Sequence, residues 1–566
     1  MPLLLALALA GACGDAAGPA ATDPLEVVGG DRQTAVVGST LPLPLEVRAT
    51  DGQGGGLAGV TIRFEVERGG GTVEPREVVT DEQGRATTRW TLGTTSGEQR
   101  LRVEMEGIAP VTARATALPG PAVTIRPSRD TIIAFLDDTL TAVIVARDEF
   151  GNPITDRLPS WSVGPPERAT VSPEGVITSM EPGEAVLIAE LDGVRTEVPM
   201  ILTRWAALAP GYAQTCGVTL EGRAYCWGGR GYGELVDVTG SGTFYPVPVE
   251  GNLRFVELTA GNRHTCGVTT EGEAYCWGDN ASGQLGSSVP GVTSVPQPVA
   301  GGMRFSAITA GGAHTCALTP TGEAYCWGSN ESGQLGTGDR SSSPVPVPVR
   351  GSGFAALDGH GDHHCGLATD GTVHCWGLIY DHGSLASGTL AWFVVRESPG
   401  PLPGGRQFRR IAVERFHGCG LTDAGEALCW GDNGFGQLGT GSRDGSTTPV
   451  AVKGGLTFQV LSAGAFHTCG LTADGAAYCW GFGTWGQLGT EAKLAECGSR
   501  EIKCALAPVR VAGDHIFTSI AAGYTHTCGI TDRGAAYCWG FNLHGQTGSG
   551  KGTVYEPTPV RVPSPR

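Results

Sequence analysis

The sequence lacks any basic run or patch. Its balance is acidic, with a net charge of −17, split as −11 through Arg204 and −6 beyond. Phosphate neutralisation dominates nucleic-acid affinity, so nucleic acid is not expected as a partner. Beyond the first dozen residues no segment approaches the 18 or so apolar residues a membrane helix needs. Helix-length periodic stretches are missing as well, and so is a collagen-like period of three. Among chemical signatures there is no G-x-S-x-G elbow, H-E-x-x-H pair, P-loop or dinucleotide fingerprint. No enzyme and no cofactor is expected.

Glycine is abundant: 90 of 566 residues, with 36 prolines and a hydrophobic share of 40 %. Disorder does not fit that hydrophobic content, and a turn-rich globular β-protein does. Seventeen cysteines point to an oxidising compartment unless they hold metal.

Residues 3–12, LLLALALAGA, are too short to span a bilayer and run into Cys13 and a small, polar segment. They read as an export signal. The Gly-Ala-Cys junction resembles a bacterial lipoprotein signal, which implies lipidation of Cys13 and a lipid anchor as the sole membrane attachment. Residues 1–13 are thus assigned to the signal and 14–23 to a linker. The chain is expected in the cell envelope or on the outer surface, or otherwise secreted.

Residues 24–118 show short alternating runs such as VTIRFEVE and LRVEME, separated by DGQGGG, RGGG and DEQG. These are strand and turn signals at the rhythm of a β-sandwich. The segments GLAGVTIRFEV and VVTDEQGRATTRWTL resemble the bacterial immunoglobulin-like domains of invasin-type surface proteins. Residues 119–204 resemble a second bacterial immunoglobulin-like family, in which Trp161 and Ser162 precede ATVSPEGVITSMEPGEA. Neither module contains cysteine, and both are expected to act as a stalk.

From Trp205 onward the chain repeats itself. Cys-Trp-Gly recurs at Cys226, Cys276, Cys326, Cys375, Cys429, Cys479 and Cys538, at intervals of 49 to 59 residues. A second cysteine stands ten positions before each: Cys216, Cys266, Cys316, Cys365, Cys419, Cys469 and Cys528. An insertion in unit 6 adds Cys497 and Cys504. If Cys266 faces Cys276 across a hairpin, residues 267/275, 268/274 and 269/273 pair, leaving Thr270, Glu271 and Gly272 as the loop. Directly opposed cysteines reach disulfide geometry, which predicts seven intra-hairpin bridges and an eighth in the insertion. Metal is the rival reading, but the spacing is not C-x-x-C, and seven two-thiolate sites would each lack half their ligands.

The repeated set H-T-C-G-L-T-x-x-G-x-x-Y-C-W-G-x-N-x-x-G-Q-L-G resembles the regulator of chromosome condensation repeats. That resemblance implies a seven-bladed β-propeller over residues 205–566. The expected fold is therefore all-β: two immunoglobulin-like β-sandwiches followed by a seven-bladed β-propeller. The last strand, Pro557–Val562, is expected to close the ring by pairing with unit 1. The family's eukaryotic founder is a nuclear nucleotide-exchange factor that binds chromatin, an activity not carried over to an exported, acidic, disulfide-bonded chain. The family also includes a secreted bacterial propeller that inhibits β-lactamases.

All 12 histidines lie in the repeats. His264, His314, His363, His417, His467 and His526 stand two before the first cysteine, with Gln214 in unit 1, and are expected to make a repeated structural hydrogen bond. Unit 4 adds His360, His364, His374 and His382 beside Asp358, Asp362 and Asp381. There His364 and His374, diagonal on one sheet face, form a candidate zinc or copper pair. Aromatic residues at variable turn positions are the candidate binding set: Tyr212, Tyr232, Phe416, Phe435, Phe466, Trp485 and Tyr524, with His544. The function they suggest is non-catalytic recognition of an extracellular or envelope protein, or a glycan, by a monomer. An inhibitor acting on an extracellular enzyme is one alternative. A propeller hydrolase or lyase is another, and it would need carboxylates or a metal at the central channel.

Overall fold

In a computed structural model of the chain, residues 24–51, 53–136, 138–229, 243–288, 290–351, 353–380, 393–498 and 501–565 are described. Every helix or strand element among them is a strand. Cys13 and segments 1–13 and 14–23 lie outside these residues, as do Tyr232 and His382.

Residues 24–118 form two sheets over one core. Thr61–Arg68 and Arg85–Leu92 alternate exposed and buried positions, as strands with one wet face do. Leu25–Gly29, Leu45–Ala49, Arg85–Leu92 and Gly71–Glu74 make one sheet; Gln33–Val36, Val111–Leu118, Gly97–Met105, Thr61–Arg68 and Glu77–Val79 make the other. Ile62, Phe64, Trp90, Leu101 and Val103 fill the space between. Residues 119–204 repeat the plan. Ile132–Phe135, Val194–Thr203, Gly183–Leu191 and Ser160–Gly164 form one sheet, and Trp161 packs on its core beside Ile177, Leu187 and Met200. The modules meet where Asn152 Nδ2 donates to Thr94 O (2.8 Å) and Ser96 N donates to Asn152 Oδ1 (3.0 Å).

Beyond Arg204 the described residues form seven antiparallel sheets in sequence order. Unit 2 shows the pattern with strands Phe255–Ala260, His264–Thr269, Ala274–Asp279 and Val292–Pro298. Cys266 pairs with Cys276, Gly267 with Tyr275 and Val268 with Ala274. Thr269 and Glu273 close the loop, where Gly272 takes a φ of 81° that glycine adopts without steric cost. All seven hairpins are bridged, with Cα atoms 4.0 to 4.1 Å apart. Cys497 is bonded to Cys504 in unit 6, whose sheet gains a fifth strand, Ala495–Glu496.

The ring does not close by strand exchange, contrary to the expectation. Tyr555–Arg561 pairs with Ala536–Phe541 of its own unit, and unit 1 has its own fourth strand, Thr243–Pro248. Each Pro-Val strand pairs with the Cys-Trp-Gly strand preceding it, so every unit is complete. Units 7 and 1 are joined instead by packing of Trp205 and Leu208 against Ile530 and Cys538, and by the bonds Trp205 N→Gly534 O (3.1 Å) and Tyr524 N→Gly211 O (3.0 Å).

The second module is seated on this closure. The Phe135 ring lies tilted 4.7 Å from Trp205 and edge-on 6.1 Å from Tyr225. Arg561 pairs with Asp138 at 2.7 Å and donates to Leu136 O at 2.9 Å.

Candidate binding face

Most junctions between neighbouring units share one polar joint. His417 Nε2 lies 2.7 Å from Thr468 Oγ1 in the next unit, and Thr468 donates to Gln437 O at 2.9 Å. The hydroxyl's single proton is spent on that carbonyl, so the histidine is the donor to the threonine. Trp480 Nε1 donates to the same carbonyl at 2.9 Å. The set recurs as His264 with Thr315, His467 with Thr527, and His526 with Thr215, at 2.7 to 2.8 Å. In unit 1 Gln214 donates to Gly261 O (3.0 Å). The glutamine carbonyl is held in place by its turn: Asn433 Oδ1 accepts from Leu438 N, and Asn433 Nδ2 donates to Ser442 O and Asp444 O. That is why the repeat requires N-x-x-G-Q-L-G. Burial pushes His264, His417, His467 and His526 down to about 3, so all four are neutral.

Unit 4 departs from this pattern. His364 replaces the threonine, and its Nδ1 lies 3.2 Å from His314 Nε2. His374 is aligned with Gly366 and reaches Thr372 at 3.4 Å. The two histidines proposed as a metal pair are diagonal neighbours, but their rings make separate contacts. Among the described residues the one ligand-like trio is His314, Cys316 and His364; Cys316 is bound in a disulfide and offers no thiolate. Two buried carboxylates are engaged by backbone of a neighbouring unit: Glu257 accepts from Ile308 N (3.2 Å) and Asp358 from Val413 N (2.8 Å). Burial raises both to about 7. Glu414 faces His360 Nδ1 at 3.1 Å.

The described aromatic candidates from units 5, 6, 7 and 1 lie in one continuous network. Phe416 stacks on Phe466 at 5.1 Å, Phe466 meets Phe435 at 5.5 Å and Tyr524 at 5.9 Å, and Tyr524 meets Tyr212 at 4.6 Å. A second branch runs from Phe435 to Phe482 (5.1 Å), Trp485 (5.0 Å), Phe541 (5.4 Å) and His544 (6.1 Å). Phe482 and Phe541 were not singled out from the sequence. Their signal was WGF in units 6 and 7, where units 2, 3 and 5 have Asp or Ser after Trp-Gly. Tyr212 is 46 % and Trp485 37 % exposed. Leu543 is also exposed. Arg415 sits 5.2 Å over the Phe416 ring, a cation–π contact at the edge of the network.

Residues 255–284, 305–334, 410–437, 460–487 and 517–546 match the Regulator of chromosome condensation (RCC1) repeat, and a second description of the same repeat matches 271–318, 321–365, 424–471 and 474–530. The chain thus carries RCC1 repeats. Its fold is similar to that of Prp20p from Saccharomyces cerevisiae, with 23 % identity, a TM-score of 0.53, and coverage of 64 % of this chain and 88 % of that one. Yeast RCC1 (Prp20) bound to Kap60 gives 22 % identity and the same TM-score over 64 % and 85 %. Human WBSCR16 gives 20 % and 0.50 over 67 % and 100 %. At these identities the likeness is one of fold.

Proposed function

We propose that this chain is an exported, lipid-anchored, non-catalytic binding protein. A seven-bladed propeller of the RCC1 type presents an aromatic face to an extracellular or envelope protein, and two immunoglobulin-like modules hold it off the membrane. The carrying observation is the network from Tyr212 to His544, which crosses four consecutive units with half-exposed Tyr and Trp rings. Exposed aromatic residues in turns cost solubility and concentrate at recognition surfaces. The repeat framework beneath it is rigid: disulfides staple each hairpin, and buried His–Thr–Gln joints lock most units together. A rigid frame carrying variable loops suits binding rather than turnover.

Prp20p is a protein whose binding properties to Gsp1p and histones are described with its structure. An acidic, disulfide-bonded chain, exported as proposed, is not expected to share those partners.

The test uses the oxidised full chain, immobilised and exposed to envelope and secreted proteins. A defined protein is expected to be retained by the wild type and by Ile516→Ala, which lies elsewhere on the surface, and lost with Phe435→Ala/Trp485→Ala. Retention unchanged by that double substitution, or retention of a glycan alone, overturns the reading. Membrane association is expected to disappear in Cys13→Ser.

A further inference from the structure

Between units 4 and 5 the repeated joint is broken, and a cavity of about 190 Å³ lies there. His363 holds the ring position whose sister histidines meet Thr315, Thr468, Thr527 and Thr215. Unit 5 offers Gly418 in place of that threonine, aligned with Trp430 on its hairpin. Among the described residues no hydroxyl reaches His363. Its ring is 7 % exposed and lines the cavity; its Nδ1 lacks a partner as those of His264, His417, His467 and His526 do, but its Nε2 also lacks the threonine that theirs have. Buried polar groups are nearly always hydrogen-bonded, so an unpartnered imidazole on a cavity wall points to a ligand that completes it.

The walls fit that ligand's other end. Trp430 is 7 % exposed, while Trp227, Trp277, Trp327, Trp376, Trp480 and Trp539 are at most 1 % exposed. A Cβ on Gly418 would come within 2.7 Å of the Trp430 indole, so the missing side chain is what gives the indole its place. Phe416 and Leu402 add apolar surface, and Arg396 and Arg415 are among the lining residues. Glu414, the carboxylate next to Arg415, is turned to His360; Arg415 has no ion pair among the described residues, and its side chain contacts Tyr524 and the Phe416 ring. Two cations, a neutral imidazole and aromatic walls suit an anion with one ring. For scale, an apolar cavity of about 150 Å³ holds benzene.

We propose that this cavity binds a small aromatic carboxylate, its ring against Trp430 and Phe416 and its carboxylate on Arg415 and Arg396 beside His363. The site is independent of the macromolecular partner proposed above, although Phe416 belongs to both surfaces.

Benzoate is the probe, titrated into the oxidised full chain and followed by calorimetry and Trp fluorescence. Saturable binding is expected with a dissociation constant below about 1 mM. Benzyl alcohol, of the same size but neutral, is expected to bind at least about ten-fold more weakly. Arg415→Gln should cost about ten-fold or more, Leu402→Trp should fill the cavity and abolish binding, and Arg304→Gln, remote in unit 3, should change nothing. If Leu402→Trp fails to fold, Arg415→Gln and Arg396→Gln decide the matter alone. A dissociation constant above about 1 mM overturns the proposal. So does equal affinity for benzyl alcohol, or wild-type binding by both arginine variants.

Discussion

His526 Nε2 lies 2.7 Å from Thr215 Oγ1, joining residues 311 apart in sequence across the seam between the last unit and the first. The same bond links units 2 and 3, 5 and 6, and 6 and 7. The seam is therefore built like an ordinary junction, with side-chain bonds and packing in place of a swapped strand. Thr215→Val removes both the acceptor for His526 and the donor to Gln546 O. It is expected to destabilise the chain by about 1–3 kcal/mol, read as a lower urea midpoint with unchanged cooperativity. An unchanged midpoint would show that apolar packing alone holds the seam.

The buried imidazoles make stability depend on acid. His264, His363, His417, His467 and His526 are held down to about 3, His364 to about 4, and His314 well below its ordinary value, all by burial first. Unfolded, each takes up a proton near pH 6.5, so each contributes stability that is lost as pH falls below about 6.5, at about 1.4 kcal/mol per pH unit. Glu257 and Asp358 have the opposite sign. Both are raised to about 7, so between about pH 4.5 and 7 they favour the folded state as pH falls. Seven imidazoles outweigh two carboxylates, so unfolding midpoints should fall steadily as pH drops below about 6.5, and faster still below about pH 4.5, where the carboxylates stop opposing the loss. In His467→Gln the slope should lessen by about 1.4 kcal/mol per pH unit, since Gln214 shows that an amide serves in the same place. A flat profile from pH 7 to about 4 would contradict neutral burial of the ring.

The hairpin register was legible from the cysteines alone, because a side-chain period of two leaves one solution once Cys266 faces Cys276. The repeated histidine was legible as structural from its recurrence, although its partner was not: Thr468 is next to Cys469 in sequence but meets His417 from another unit. Ring closure was misjudged because Pro-Val strands follow each Cys-Trp-Gly strand at a distance, and sequence spacing does not say which edge a strand joins. Phe482 and Phe541 escaped notice because they sit inside a strand end that reads as framework, while their rings join the surface network. The cavity at unit 4 depends on a side chain that is missing, Gly418, whose effect appears only when the neighbouring units are placed together.

Phe135 is the apolar plug between the second module and the propeller, packed with Trp205, Tyr225 and Trp227. Phe135→Ala is expected to cost about 3–5 kcal/mol at that joint and to raise the rate of tryptic cleavage after Arg204. Asp138→Asn breaks the pair with a partly exposed Arg561 and should cost about 0–1 kcal/mol. Equal effects of the two substitutions would show that charge, not packing, seats the module.

Phe466 and Trp485 should separate the structural and recognition roles of the aromatic face. Phe466 touches Phe416, Phe435, Phe482 and Tyr524, whereas Trp485 touches Phe482 and Phe541 and is 37 % exposed. Truncating Phe466 to Ala removes a half-buried ring, and a loss of about 2 kcal/mol in folding stability is expected, together with lost capture of the partner. Trp485→Ala should change folding stability by less than about 1 kcal/mol while weakening partner binding about 30-fold, the effect of removing an aromatic anchor worth about 2 kcal/mol. Urea unfolding and partner affinity measured on the same two variants give the comparison. If Trp485→Ala unfolds the chain as readily as Phe466→Ala, the outer ring is packing rather than a binding anchor, and the face is part of the frame.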